Sequence, residues 1–151
     1  MDKDKDFDEF AKGLQEQIFS EVKNTYGVKI LERWKNPRFK GVMENPDGHA
    51  RLTGTCGDTM EIFLRFRNDR VEEALYLTDG CGSSNVCGSF AVELAHGKDP
   101  DDLIEVTGEA IIETIGGLPE AEKHCAFLAA ATLQAALNDY MIRQREKKRE
   151  L

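Results

Sequence analysis

Apolar residues recur at helical spacing near the start of the chain. Phe7, Phe10, Leu14, Ile18 and Val22 fall three or four positions apart, which predicts an amphipathic helix over about residues 7–25. The pattern then breaks at Asn36-Pro37, Asn45-Pro46 and Asp47-Gly48, so Trp34 to Gly48 reads as a loop leading into a sheet. Ala50 to Thr55 is short and partly β-branched, as a strand would be. Residues 59–66 alternate, with Met60, Ile62, Leu64 and Phe66 on one side and Glu61 and Arg65 on the other. That period of two predicts a strand with one buried face. Asn68-Asp69-Arg70 supplies a turn, and Val71 to Thr78 returns as a third antiparallel strand.

The second half reads as helical. Ser83 to Ala95 carries Val86, Phe90 and Leu94 on one stripe with Cys87, Ala91 and Ala95 beside it, and Gly97 closes that helix with a left-handed cap. Asp99-Pro100 and Thr107 mark the starts of two short helices, the second stopping at Gly116-Gly117. Pro119 enters a long Ala- and Leu-rich helix from about Glu120 to Arg143. After Met141, five Lys or Arg stand against two Glu, predicting a frayed, solvated helix end. With no internal repeat or linker, the expectation is one α+β domain over residues 1–151. It has a three-stranded antiparallel sheet packed with helices on one face, and a charged tail from about residue 141.

Composition narrows the function. A chain of 151 residues can bury a core unaided, and 40% hydrophobic with 32% charged residues is ordinary for a globular domain. The net charge of −8 argues against nucleic-acid partners. No apolar run approaches the roughly 18 residues of a membrane span. The opening MDKDKDFDEF is acidic, unlike a secretory signal or transit peptide, so the expected location is cytoplasmic. In a reducing compartment four cysteines point to metal, reactivity or burial rather than disulfides.

The positions of those cysteines carry the chemistry. Cys56-Gly57-Asp58 falls at the turn between the first two strands. Gly80-Cys81-Gly82-Ser83-Ser84 falls where the third strand hands over to a helix, and His124-Cys125 falls in the first turns of the long helix. Element ends are where side chains can converge, and a helix N-terminus favours a thiolate. Cys56 and Asp58 share a face if strand geometry persists through them. The set offers three thiolates, one imidazole and one carboxylate, and thiolates suit iron–sulfur clusters and zinc. Cys87, mid-helix beside Phe90 and Ala91, reads as a small buried residue. His49 and His96, beside Gly48 and Gly97, read as surface residues.

At these positions the sequence resembles the U-type iron–sulfur cluster scaffold family, the IscU proteins and the N-terminal domain of NifU. The segments carrying the resemblance are Asn36-Pro37-Arg38, Cys56-Gly57-Asp58, Gly80-Cys81-Gly82-Ser83, and Leu118-Pro119 leading to His124-Cys125, across roughly residues 30–140. The resemblance implies an IscU/SufE-like fold and a scaffold rather than an enzyme. Sulfur would come from a cysteine desulfurase, iron from a donor, and the finished [2Fe–2S] or [4Fe–4S] cluster would pass to recipient apo-proteins. It further implies that Cys56, Cys81 and Cys125 are cluster ligands and sulfur acceptors. His124 or Asp58 completes the coordination, and Asp58 keeps the cluster labile. The protein would be a monomer or a cluster-bridged dimer, with Zn2+ able to occupy the same residues after aerobic purification. The family's Leu-Pro-Pro-Val-Lys stretch, recognised by an Hsp70 chaperone, reads Leu118-Pro119-Glu120-Ala121-Glu122 here, so the implication does not extend to that partner. Cys87 stands where the family usually has serine. The chain ends without the further domains of full-length NifU, which reads as a free-standing scaffold. Two alternatives compete: a structural zinc domain, and an enzyme using Cys125 or Cys81 as nucleophile with His124 nearby.

Overall fold

The computed structural model describes residues 9–14, 16–17, 27–55, 57–80 and 82–150. Of the predicted N-terminal helix, residues 9–14 and 16–17 are helical, and the rest lies outside the described residues. The elements that follow are α1 (Val28–Lys35), β1 (Gly48–Thr53), β2 (Thr59–Arg67), β3 (Arg70–Thr78), α2 (Gly82–Ala95), α3 (Pro100–Leu103), α4 (Gly108–Ile115), a 3-10 turn (Glu120–Glu122) and α5 (Lys123–Glu150). The strands form an antiparallel sheet in the order β1-β2-β3. This is the α+β architecture expected from the sequence.

The alternation in β2 does what its period requires. Met60, Ile62 and Leu64 are fully buried, opposite Ala74 and Tyr76 of β3. A register shift between Arg65 and Phe66 bends the strand, so Phe66 is only partly buried and stacks on Tyr140 at 3.6 Å. Asn68 and Asp69 both take positive φ, 54° and 61°, the twist that a two-residue hairpin needs. The other sheet face is not simply solvated. Phe63 is buried and stacks on His49 at 4.8 Å, and His49 Nε2 lies 2.6 Å from Glu61 Oε1. His49 is therefore half-buried and partnered rather than a surface residue. So is His96, whose Nδ1 sits 2.7 Å from the Val92 carbonyl while Nε2 faces the Ala74 amide at 3.3 Å.

The caps fall where the sequence put them. Asp99 accepts from the Asp102 amide and Thr107 from the Ala110 amide, and Gly116 closes α4 in the left-handed region. The last helix departs from expectation. It starts at Lys123 and stays helical through the charged tail to Glu150. Lys, Arg, Glu and Gln are good helix formers, and the cations suit the negative end of the dipole. Its inner face is built from Ala126, Ala129, Ala130, Leu133, Ala136 and Leu137, and these small side chains let the helix lie close against β1 and β2. A Cβ on Gly48 would run into the Ala136 carbonyl oxygen.

Residues 34–48 are only partly a loop. Trp34 belongs to α1, an element the sequence reading passed over. Past it, Lys40 bridges in parallel to Tyr76, with Gly41 N–H donating to the Tyr76 carbonyl and Tyr76 N–H to that of Phe39. The edge of β3 is thus partly covered. Helix α1 is held by Arg33, which is 8% exposed. Its guanidinium donates to Ser89 Oγ at 2.9 Å and to both carboxylate oxygens of Glu93 at 3.1 Å. It also lies 3.9 Å from the centre of the Phe90 ring. Ser89 in turn donates to the Arg38 carbonyl at 2.8 Å, so one network fastens both α1 and the Asn36-Pro37-Arg38 segment to α2.

Two predictions come from this packing. Arg33→Met should cost about 2 kcal/mol in urea unfolding, because hydrogen bonds to a charged group carry that order of free energy; a loss within experimental error would remove the network's importance. Burial pushes the Tyr76 phenol up to about 12. Burial, followed by the hydrogen bond to Asp69 and the negative charges of Asp69 and Asp47, also raises Tyr140. Groups raised on folding stabilise fully below the unfolded value of 10.0 and lose that contribution as pH climbs through the folded value. The urea midpoint should therefore fall between about pH 10 and 12, and fall less in Tyr76→Phe/Tyr140→Phe.

Candidate functional site

Three element ends meet at one corner of the molecule. The connection from β1 to β2 is a tight turn, with Gly54 N–H donating to the Asp58 carbonyl at 2.8 Å and Gly57 N–H to the Gly54 carbonyl at 3.0 Å. Strand geometry does not run through it, because Gly57 has φ 87°. The condition attached to a shared face, strand geometry through the turn, is therefore not met at Gly57. From the turn Asp58 enters β2 with its carboxylate turned toward the start of α2.

The end of β3 is strapped to the same place. Thr78 Oγ1 donates to the Thr59 carbonyl at 2.7 Å and accepts from Gly80 N–H at 3.0 Å, while Asp79 Oδ1 accepts from Thr59 N–H at 2.7 Å. Gly80 and Gly82 both sit in tight quarters. A Cβ on Gly80 would stand 2.6 Å from Ser84 Oγ and 2.8 Å from Asp58 Oδ2. One on Gly82 would stand 2.7 Å from Trp34 Nε1. Helix α1 thus packs directly on the segment that carries Cys81.

The third contribution is the first turn of α5. His124 and Cys125 are adjacent on the helix, yet Cys125 Sγ lies 3.5 Å from His124 Nε2. A carboxylate oxygen of Asp58, a ring nitrogen of His124 and the sulfur of Cys125 all lie within 4.8 Å of one another. This is a spacing one ion can bridge. Between them stands Ser84, whose hydroxyl is 3.0 Å from Asp58 Oδ2 and 3.5 Å from Cys125 Sγ.

The structure therefore brings together three of the five residues singled out from the sequence: Asp58, His124 and Cys125. Cys56 and Cys81 lie outside the described residues. Cys87 is fully buried in the core, as its setting in α2 predicted. Cys125 is 1% exposed, because a side chain in the first turn of α5 leans back toward the helix start and under Ser84. Asp58 and His124 are half-buried and form the outer part of the group. Sequence reasoning missed Ser84. Its one signal was its place in the Gly-Cys-Gly-Ser-Ser run, three residues after Cys81. Charge near the site is mixed, with Lys123 Nζ 2.7 Å from Glu120 Oε2.

Comparison with known proteins fits this geometry. The model of the NifU-like N terminal domain matches residues 25–147. The iron-sulfur cluster assembly scaffold protein IscU 1 of Archaeoglobus fulgidus is 35% identical over 116 residues, covering 76% of each chain. The scaffold protein IscU of Aquifex aeolicus is 34% identical over 122 residues, covering 79% of this chain and 78% of its own. Among solved structures, the NifU-like N-terminal protein of Brucella abortus superposes with a TM-score of 0.64 over 81% of this chain and 98% of its own, at 18% identity. The FiSufU protein of Fervidobacterium islandicum AW-1 gives 0.62 at 19% identity, over 74% and 96%. At those identities the structures speak for the fold alone. The family match over most of the chain and the two relatives at a third identity go further, and the chain belongs to the NifU-like N terminal domain family.

Proposed function

We propose that this protein is a scaffold on which an iron–sulfur cluster is assembled and from which it is passed to recipient apo-proteins. The observation that carries the reading is the convergence of Asp58, His124 and Cys125 within 4.8 Å, from the β1–β2 turn and the first turn of α5. Sulfur and imidazole are the donors iron accepts, and the carboxylate adds a hard, weaker ligand. Cys56 precedes Asp58 by two residues and Cys81 precedes Gly82 directly, so both are assigned to the ligand set with Cys125. The family match and the relatives named as scaffold proteins support the same role. On this reading the partners are a cysteine desulfurase, an iron donor and the recipients. On the same reading the domain is a carrier rather than an enzyme and works in the cytoplasm. No helix among the described residues is long and apolar enough to cross a membrane.

The same donors suit Zn2+, which takes four ligands in a tetrahedron. A structural zinc domain would unfold on chelation. Here the core is apolar and continuous, running from Met60, Ile62 and Leu64 through Val86 and Phe90 to Leu133. A core of that extent supports a fold of 151 residues without a metal staple. A nucleophilic enzyme would need substrate to reach Cys125, which is covered.

Anaerobic incubation of the apo-protein with ferrous iron, cysteine and a cysteine desulfurase tests the proposal. Visible charge-transfer absorption should grow with the wild type and fail in Cys56→Ala, Cys81→Ala and Cys125→Ala; a colourless wild type would sink it. Because an oxygen donor holds a cluster less firmly than a thiolate, Asp58→Cys should retain its cluster longer against a chelator. Chelator treatment of zinc-loaded protein should leave the far-ultraviolet circular dichroism unchanged.

A further inference from the structure

Ser84 is fully buried, and its hydroxyl bonds to two other elements of the site. A serine in the first turn of a helix commonly turns back on local backbone. This one spans from α2 to the Asp58 carboxylate at the start of β2, and to the Cys125 sulfur on α5. Resting on the cluster-site reading above, we propose that Ser84 is a positioning residue: its hydroxyl fixes the Asp58 carboxylate and so sets how firmly the site holds a metal ion.

A hydroxyl has one proton to donate, so Ser84 serves the carboxylate or the sulfur, not both at once. The acceptors decide between them. A carboxylate oxygen, here 3.0 Å away, is a strong acceptor, whereas sulfur, 3.5 Å away, is a weak one. The proton therefore belongs mainly to Asp58 Oδ2. That bond fixes the rotation of the carboxylate and leaves its other oxygen for an ion, the usual way an outer partner orients a metal-binding carboxylate. The helix supplies the rigidity, because Ser84 sits in a regular turn between buried Val86 and the Gly82 contact with Trp34. Removing the hydroxyl has two opposed effects. The sulfur becomes a slightly better donor, while the carboxylate loses its orientation. The stronger of the two bonds governs, so the net change is weaker binding.

The test is an anaerobic Co2+ titration of the full chain, with affinities from Zn2+ competition. Wild type should show a thiolate-to-cobalt charge-transfer band that Cys125→Ala weakens. If wild type shows no such band, or Cys125→Ala keeps it unchanged, the site itself is wrong and this proposal falls with it. Given the band, Ser84→Ala should bind about tenfold more weakly, the lower end of what outer-partner losses cost. In an Asp58→Ala background the same substitution should change affinity less than about twofold, since Ser84 acts through that carboxylate. Ser84→Ala within about twofold of wild type, or the full tenfold loss persisting without Asp58, overturns the role of Ser84 while leaving the site standing. Should Ser84→Ala fail to fold, Ser84→Thr and Ser84→Val replace it. They add the same bulk and differ in the hydroxyl, so Thr must bind about tenfold tighter than Val; equal affinities overturn the proposal.

Discussion

The close seating of α5 on the sheet is the constraint from which the rest follows. Alanines at 126, 129, 130 and 136 give the helix a flat inner face, and Gly48 on β1 removes the last obstacle at the Ala136 carbonyl. Dense packing of small residues leaves little freedom in where such a helix lies. At its far end the ring of Tyr140 stacks on Phe66 and its hydroxyl bonds to Asp69 at 2.7 Å. With the helix held along its length, its first turn is delivered to the corner where β2 begins and α2 starts. His124 and Cys125 meet Asp58 there because of contacts made tens of residues away in the sequence.

The donor group has a graded character. Cys125 is covered, and Asp58 and His124 are half-exposed above it. A soft ligand lies inside and harder ones outside. The outer pair is within reach of solvent, while the sulfur beneath is shielded from oxidants, which attack exposed thiolates first. Such a layering suits a carrier that must both keep and release what it holds.

Much of this was legible in the chain. Alternation in residues 59–66 gave β2 and its buried face, Thr107 and Gly116 gave the ends of α4, and the placing of His124-Cys125 and Asp58 at element ends foretold their meeting. Helix α1 escaped because it is only eight residues long and its inward face mixes Ile30 and Leu31 with the charged Arg33. Its anchor is a charged side chain satisfied by Ser89 and Glu93, which no apolar periodicity reveals. Burial of Cys125 was equally hidden, since it depends on the lean of one side chain under Ser84 across three elements. The half-burial of His49 and His96 comes from cross-strand and helix–strand partners that sequence neighbours such as Gly48 and Gly97 do not announce.

The contact between Trp34 and Gly82 has an optical consequence. The chain holds a single tryptophan, and its indole nitrogen rests against the glycine next to Cys81. Emission from the whole molecule therefore originates at the flank of the candidate site, undiluted by other indoles. A shift of that loop, or a coloured cargo nearby, registers as a change in brightness or wavelength. The molecule carries its own fluorescent gauge of occupancy, with no label to attach.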